Sequence, residues 1–163
     1  MPILDGREQE RQGIMEAASL MVVAARTAPK SGGVDDIFTA VVFGEEIGAL
    51  ADDMEKIGTE RNVEAWGQQA RGVRAVDAIV LIGVMGTKPY ITNCGACGYG
   101  SCNEFGKEEK KLRQDFGGPN CIFKVLDLGV AVGSAVKVAS LLNADNRIFL
   151  SNRGGGQTTA LHA

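Results

Sequence analysis

Four cysteines are the whole complement of this 163-residue chain, and three of them fall within one short, glycine-rich stretch. Asn93-Cys94-Gly95-Ala96-Cys97-Gly98-Tyr99-Gly100-Ser101-Cys102 carries three, and Cys121 follows in Gly117-Gly118-Pro119-Asn120-Cys121. The spacing is C-x2-C-x4-C-x18-C. A cubane [4Fe–4S] cluster needs four thiolates, one for each iron. Three close cysteines in a tight loop can grip three corners, and a distant fourth closes the site. The small intervening residues let the backbone wrap close and turn amide N–H groups towards sulfur. A helix starting near Cys102 would add an N-terminal dipole that favours an anionic cluster.

Other chemistries use the same residues. Four cysteines can hold one structural zinc, although zinc ribbons present two C-x2-C knuckles and this chain has one. Cys94 and Cys97 alone could act as a redox dithiol, which leaves Cys102 and Cys121 unused. Four thiolates also suit a [2Fe–2S] cluster, but the order here reverses the plant-type ferredoxin spacing. The single histidine, His162, reads as a solvated residue near the end, and its solitude excludes a Ser-His-Asp triad or a histidine-rich zinc site.

Composition narrows the setting. Net charge is −3, and the densest charged run, Lys107 to Arg113, mixes both signs, which argues against a nucleic-acid footprint. The N-terminus lacks a signal-peptide core, and no apolar run approaches the ~20 residues of a membrane helix. The expectation is a cytoplasmic chain with reduced thiols.

Periodicity predicts a helix over 7–27, stopped by Pro29 and a turn at Lys30-Ser31-Gly32-Gly33. Ile37 to Phe43 reads as a buried strand, 45–57 as a helix ending at Gly58, and Asn62 as the cap of a short helix. Ala78 to Val84 is a second buried strand. A charged helix is expected over 102–116, with Ser101 and Glu104 as a capping box. Asp127 is expected to cap a further helix whose buried stripe is Leu128, Val132, Ala135, Val138 and Leu142. Asn146 to Leu150 reads as a last strand. The fold class is α+β (α/β-like): one domain over 1–150, with a cluster-binding segment at about 86–123 and a disordered tail at 151–163.

Asn93-Cys94-Gly95-Ala96-Cys97-Gly98-Tyr99 through Cys102 resembles the [4Fe–4S] domain of the Rnf-complex B subunit and of the corrinoid iron–sulfur protein. The body from about Met15 to Ile148 resembles a prokaryotic family described as containing a ferredoxin domain. Ala24 to Lys30, Gly118-Pro119-Asn120-Cys121 and Val125 to Ala135 carry that likeness. It implies a cluster on Cys94, Cys97, Cys102 and Cys121 and an electron-transfer or oxidoreductase role with a redox partner protein or small-molecule acceptor.

A second likeness runs beneath the first. Ala25-Arg26-Thr27-Ala28-Pro29-Lys30-Ser31 is similar to a segment of the nitroreductase fold, which binds FMN, and Asp127 to Leu142 looks like that fold's central dimer helix. It implies FMN beside Pro29, Lys30 and Ser31, and a homodimer. A plain helix-stop turn is the simpler reading of Pro29 to Gly33. Gly129 and Gly133 read as helix-packing residues, Trp66 as core, Asp35-Asp36 and Asp52-Asp53 as solvated pairs, and Tyr99 as either a shield for the cluster or a loop-packing ring.

Overall fold

The computed structural model describes residues 3–112, 116–151 and 157–162. Asp5 opens the first helix, α1 (Gly6–Thr27), by accepting from the amides of Arg7 and Glu8. Its buried face is Ala17, Ala18, Met21 and Ala25. Lys30 closes it: the ammonium donates to the carbonyls of Ala25, Arg26 and Ala28 at 3.1, 2.6 and 2.8 Å. These are the last carbonyls, which a helix leaves without partners. A 3₁₀ turn, Ser31–Gly33, then leads to strand β1 (Ile37–Phe43).

Helices α2 (Glu45–Glu60) and α3 (Glu64–Val73) pack together and return the chain to strand β2 (Ala78–Val84). Gly58 does not end α2, which continues to Glu60, and Asn62 does not cap α3. Asn62 has φ 55°, a left-handed turn between the two helices, and Val63 precedes α3 without a side-chain cap. Asparagine tolerates that conformation better than most residues.

After β2 come α4 (Cys102–Lys107), the short ladder β3 (Lys111–Leu112) with β4 (Gly117–Gly118), α5 (Ile122–Leu141), β5 (Arg147–Ser151) and β6 (Gln157–His162). The expected helix over 102–116 is only its first six residues, and 113–115 lie outside the described part. Its end is fixed by the Lys110 ammonium, which donates to the Phe105 carbonyl and lies 3.7 Å above the Phe105 ring. Asp127 is a second correction. It lies inside α5, which begins at Ile122 with Cys121 as its N-cap residue.

The main sheet has the order β1-β2-β6-β5 with every pair antiparallel. Residues 157–162, expected as part of a disordered tail, form the strand between β2 and β5. Residues 152–156 and 163, also assigned to that tail, lie outside the described part. The fold is α+β, with helices on both sheet faces. Val80, Ile82 and Val84 of β2 join α1 and α5 in one core, while Ile79 joins α2 and α3 in the other. Strand β2 is buried on both faces, which is why its sequence is a continuous apolar run rather than an alternation. Trp66 is half-buried against the second core, as a core reading requires.

Ile82 is fully buried between α1, α5 and the sheet. Ile82→Ala should lower unfolding stability by about 2–5 kcal/mol through lost burial and a cavity. Urea denaturation checks it, with a fall in midpoint and no change in slope expected.

Candidate metal centre

The connection after β2 holds the cysteine segment. Asn93 makes a reciprocal pair with Cys102: its amide donates to Cys102 Sγ at 3.3 Å, and its Oδ1 accepts from the Cys102 amide at 2.8 Å. This closes the three-cysteine loop at its base. Inside it, the Gly98 amide donates to the Gly95 carbonyl at 2.9 Å. Gly95 and Gly98 have φ of 73° and 87°, where a side chain would be strained. The Ala96 amide and the Thr92 hydroxyl hold the Cys94 thiol below its usual range. The capping expected at Ser101 is present in a shifted form. Ser101 Oγ accepts from the Glu104 amide at 3.2 Å, but Glu104 Oε2 accepts from Gly100 at 3.0 Å. Tyr99 packs edge-on to Phe105 at 5.8 Å. Burial, then the charges of Glu108 and Cys97, push its hydroxyl up, so the ring is packed and also lies near a cysteine.

Cys121 sits apart from that loop in character. Cys94 is exposed, Cys97 and Cys102 are half-buried, and Cys121 is 6% exposed. Its amide donates to the Gly86 carbonyl at 2.8 Å, and its carbonyl receives the Lys124 and Val125 amides at the head of α5. The long-helix dipole expected at Cys102 is therefore at Cys121, because α4 has six residues and α5 has twenty. Residues 86–93 run between the two sites. Near their far end, Pro89 and Ile91 line a cavity of about 490 Å³ with Cys102 and Gly106. Ile91 has φ 64°, an outlier for a β-branched residue that costs about 1–3 kcal/mol. Among the described residues no three Cys, His, Asp or Glu side chains stand together as a set that could hold a metal ion.

Beside Cys121 lies a charged node that the sequence reading missed. Lys124 is 1% exposed, and its ammonium is 2.8 Å from Asp36 Oδ2 and 3.9 Å from Asp127 Oδ2. Lys88 reaches the other Asp36 oxygen at 2.8 Å. Asp127 Oδ1 accepts from both the amide and the hydroxyl of Ser31, at 2.7 and 2.8 Å. Tyr90 covers the group: its ring lies 5.8 Å from the ammonium and 5.1 Å from the Phe123 ring, and its hydroxyl fills the space a Gly32 side chain would need. The sequence signal was available, since Lys124 and Asp127 interrupt the apolar first half of α5. Asp36, read as half of a solvated pair, is in fact a largely covered partner. Asp52 behaves more nearly as expected and pairs with Arg74 on the surface.

The three residues expected beside a flavin are thus engaged within the chain. Pro29 follows the C-cap of α1, Lys30 serves the helix end, and Ser31 serves Asp127.

A protein-family model described as an uncharacterized protein containing a ferredoxin domain matches residues 117–157. An uncharacterized protein of Archaeoglobus fulgidus is 43% identical over 147 residues, covering 90% of this chain and 79% of that one. The chain belongs to this ferredoxin-domain family. The family's description points to an iron–sulfur role in electron transfer, and the thiols and sulfur-directed amide above suit it. No helix among the described residues of this family member is long and apolar enough to cross a membrane.

Burial alone would push the Asp36 carboxyl up, but the hydrogen bonds and charges of Lys124 and Lys88 outweigh it and hold Asp36 below the usual carboxylate range. A depressed folded value contributes stability above the unfolded value of about 3.9, and that stability is lost as pH falls through the folded value. Asp36→Asn should therefore flatten the acid limb of a stability–pH curve below about pH 4, as thermal unfolding across a pH series would show.

Proposed function

We propose that the chain binds one [4Fe–4S] cluster through Cys94, Cys97, Cys102 and Cys121 and exchanges single electrons with a redox partner protein or small-molecule acceptor. The observation that carries this reading is the Asn93–Cys102 pair, a backbone N–H directed at sulfur at the base of a glycine-turned three-cysteine loop. Such N–H···S contacts are a lever by which proteins set cluster potential. The likeness of this loop to the Rnf B-subunit and corrinoid-protein cluster domains supports the cubane type. When bound, the cluster supplies a one-electron site. The chain's own residues orient the thiols, shield Cys97 with Tyr99, and anchor Cys121 at the head of α5.

Zinc is the competing occupant. Four ligands on one zinc at about 2.3 Å must converge within about 4 Å of one another. Cubane thiolates bind different irons and stand farther apart.

Anaerobic reconstitution should give a brown protein with about four iron and four sulfide per chain and an EPR signal on reduction. Cys121→Ser should lose most of that iron while circular dichroism stays unchanged. One zinc per chain, with neither iron nor sulfide bound, would sink the proposal.

A homodimer completes this reading. Ile122, Leu126, Gly129, Gly133, Val136 and Ser140 follow the four–three spacing of a helix seam on the outer side of α5. Nothing lies within 4 Å of a side chain added at Gly129 or Gly133, so the fold of one chain does not require glycine there. Each costs about 1 kcal/mol against alanine, a cost that close approach of a second backbone explains. Light scattering should give twice the 17.2 kDa chain mass, and Leu126→Arg should halve it.

A further inference from the structure

The node around Lys124 forms a closed circuit with Cys121. The Asp36 side chain pairs with Lys124 on the first turn of α5. That turn begins at Cys121, whose amide is held by the Gly86 carbonyl. The neighbouring Met85 amide donates to the Asp36 carbonyl at 3.0 Å, which returns the circuit to its start. Three separated pieces of chain meet in it: the approach to β1, the exit from β2 and the head of α5. Asp36 Oδ2, Lys124 Nζ and Asp127 Oδ2 are all buried atoms, and the ammonium stands 2.8 Å from the first oxygen and 3.9 Å from the second. Without Lys124, Asp36 would keep only the half-exposed Lys88 as its counter-charge.

Resting on the cluster reading above, we infer that Lys124 is a positioning residue for the metal centre: its buried ammonium, held between Asp36 and Asp127, fixes Cys121 and places a positive charge one helical turn from that thiol. The charge acts on the bound cluster. Reduction adds an electron, so a nearby cation favours the reduced form and a nearby anion opposes it. Asp127 lies one turn farther along the same helix and opposes Lys124 directly, while its Oδ1 is spent on Ser31.

Two measurements test this, and the first needs no iron. In the iron-free protein, timed alkylation read by mass spectrometry should label Cys94 quickly and Cys121 slowly. Lys124→Met should label Cys121 at least tenfold faster than wild type while far-UV circular dichroism is unchanged. An unchanged Cys121 rate overturns the anchoring.

The second measurement is potentiometric titration of the reconstituted protein. Lys124→Met should lower the potential, Asp127→Asn should raise it, and the double variant should return near wild type. Each single shift should reach about tenfold in the oxidised-to-reduced ratio at fixed poise, about 59 mV for one electron. A merely structural role would move both single variants the same way or neither. Either result overturns the charge role. If Lys124→Met does not fold, Asp127→Asn decides alone, and an absent or negative shift rejects the proposal. A wild-type chain that takes up no iron defeats the cluster reading instead, and the alkylation rates still judge the anchoring.

Discussion

The ion pair between Asp36 and Lys124 is the contact on which the placement of the head of α5, and with it of Cys121, depends. With the Ser31–Asp127 hydrogen bonds, it ties the approach to β1 to the head of α5. Burying two charges is costly, and the pair is weak evidence for stability as such. Removing one partner of a buried pair is destabilising, and here Lys88 beside Asp36 and Asp127 beside Lys124 soften that loss. Specificity of placement is the better account of why polar groups occupy this position. An apolar pair of similar size would pack, but it would not select one rotation of α5 relative to the 85–88 segment.

This node also changes the meaning of the segment around Pro29. Its polar side chains look like ligand contacts when read along the sequence. In space they are structural. Lys30 satisfies the end of α1, Arg26 pairs with Asp35 at 2.8 Å and donates to the Ile37 carbonyl, and Ser31 holds Asp127. Gly32 is needed because Tyr90 occupies the space where its side chain would be, and its φ of 59° suits glycine. The run from Arg26 to Gly33 is thus a clasp between α1 and α5.

The bounds of strands β1 and β2 were legible to the residue, because β-branched runs bounded by glycine or polar residues leave little choice, but β1, expected to be buried, is an edge strand with Phe38 and Phe43 exposed. Helix α1 was nearly so, since its alanine and methionine stripe has a clear helical period. The head of α5 was misjudged because Asp127 is a good cap residue and Cys121 is not. The buried lysine three residues before Asp127 supplies the partner that lets an aspartate sit inside an apolar helix. Strand β6 was missed because glycines 154–156 suggest disorder, whereas the pairing of 157–162 with β2 and β5 is a long-range contact no local pattern reveals. The cysteine loop was legible as a loop, down to its glycine turns. What the spacing could not show is that Cys121 belongs to a rigid helix head while its three companions belong to a surface segment.

That division gives the centre a front and a back. Cys94 faces solvent, Cys97 and Cys102 stand at intermediate depth, and Cys121 is walled in by α5 and the 86–90 segment. Traffic in either direction must use the front. If the proposed cluster is bound, Cys94 is its most exposed ligand, and an electron donor and dissolved oxygen would approach by that same edge. On that reading a partner and air would share one entrance, so the Cys94 side would be both the productive port and the point of decay.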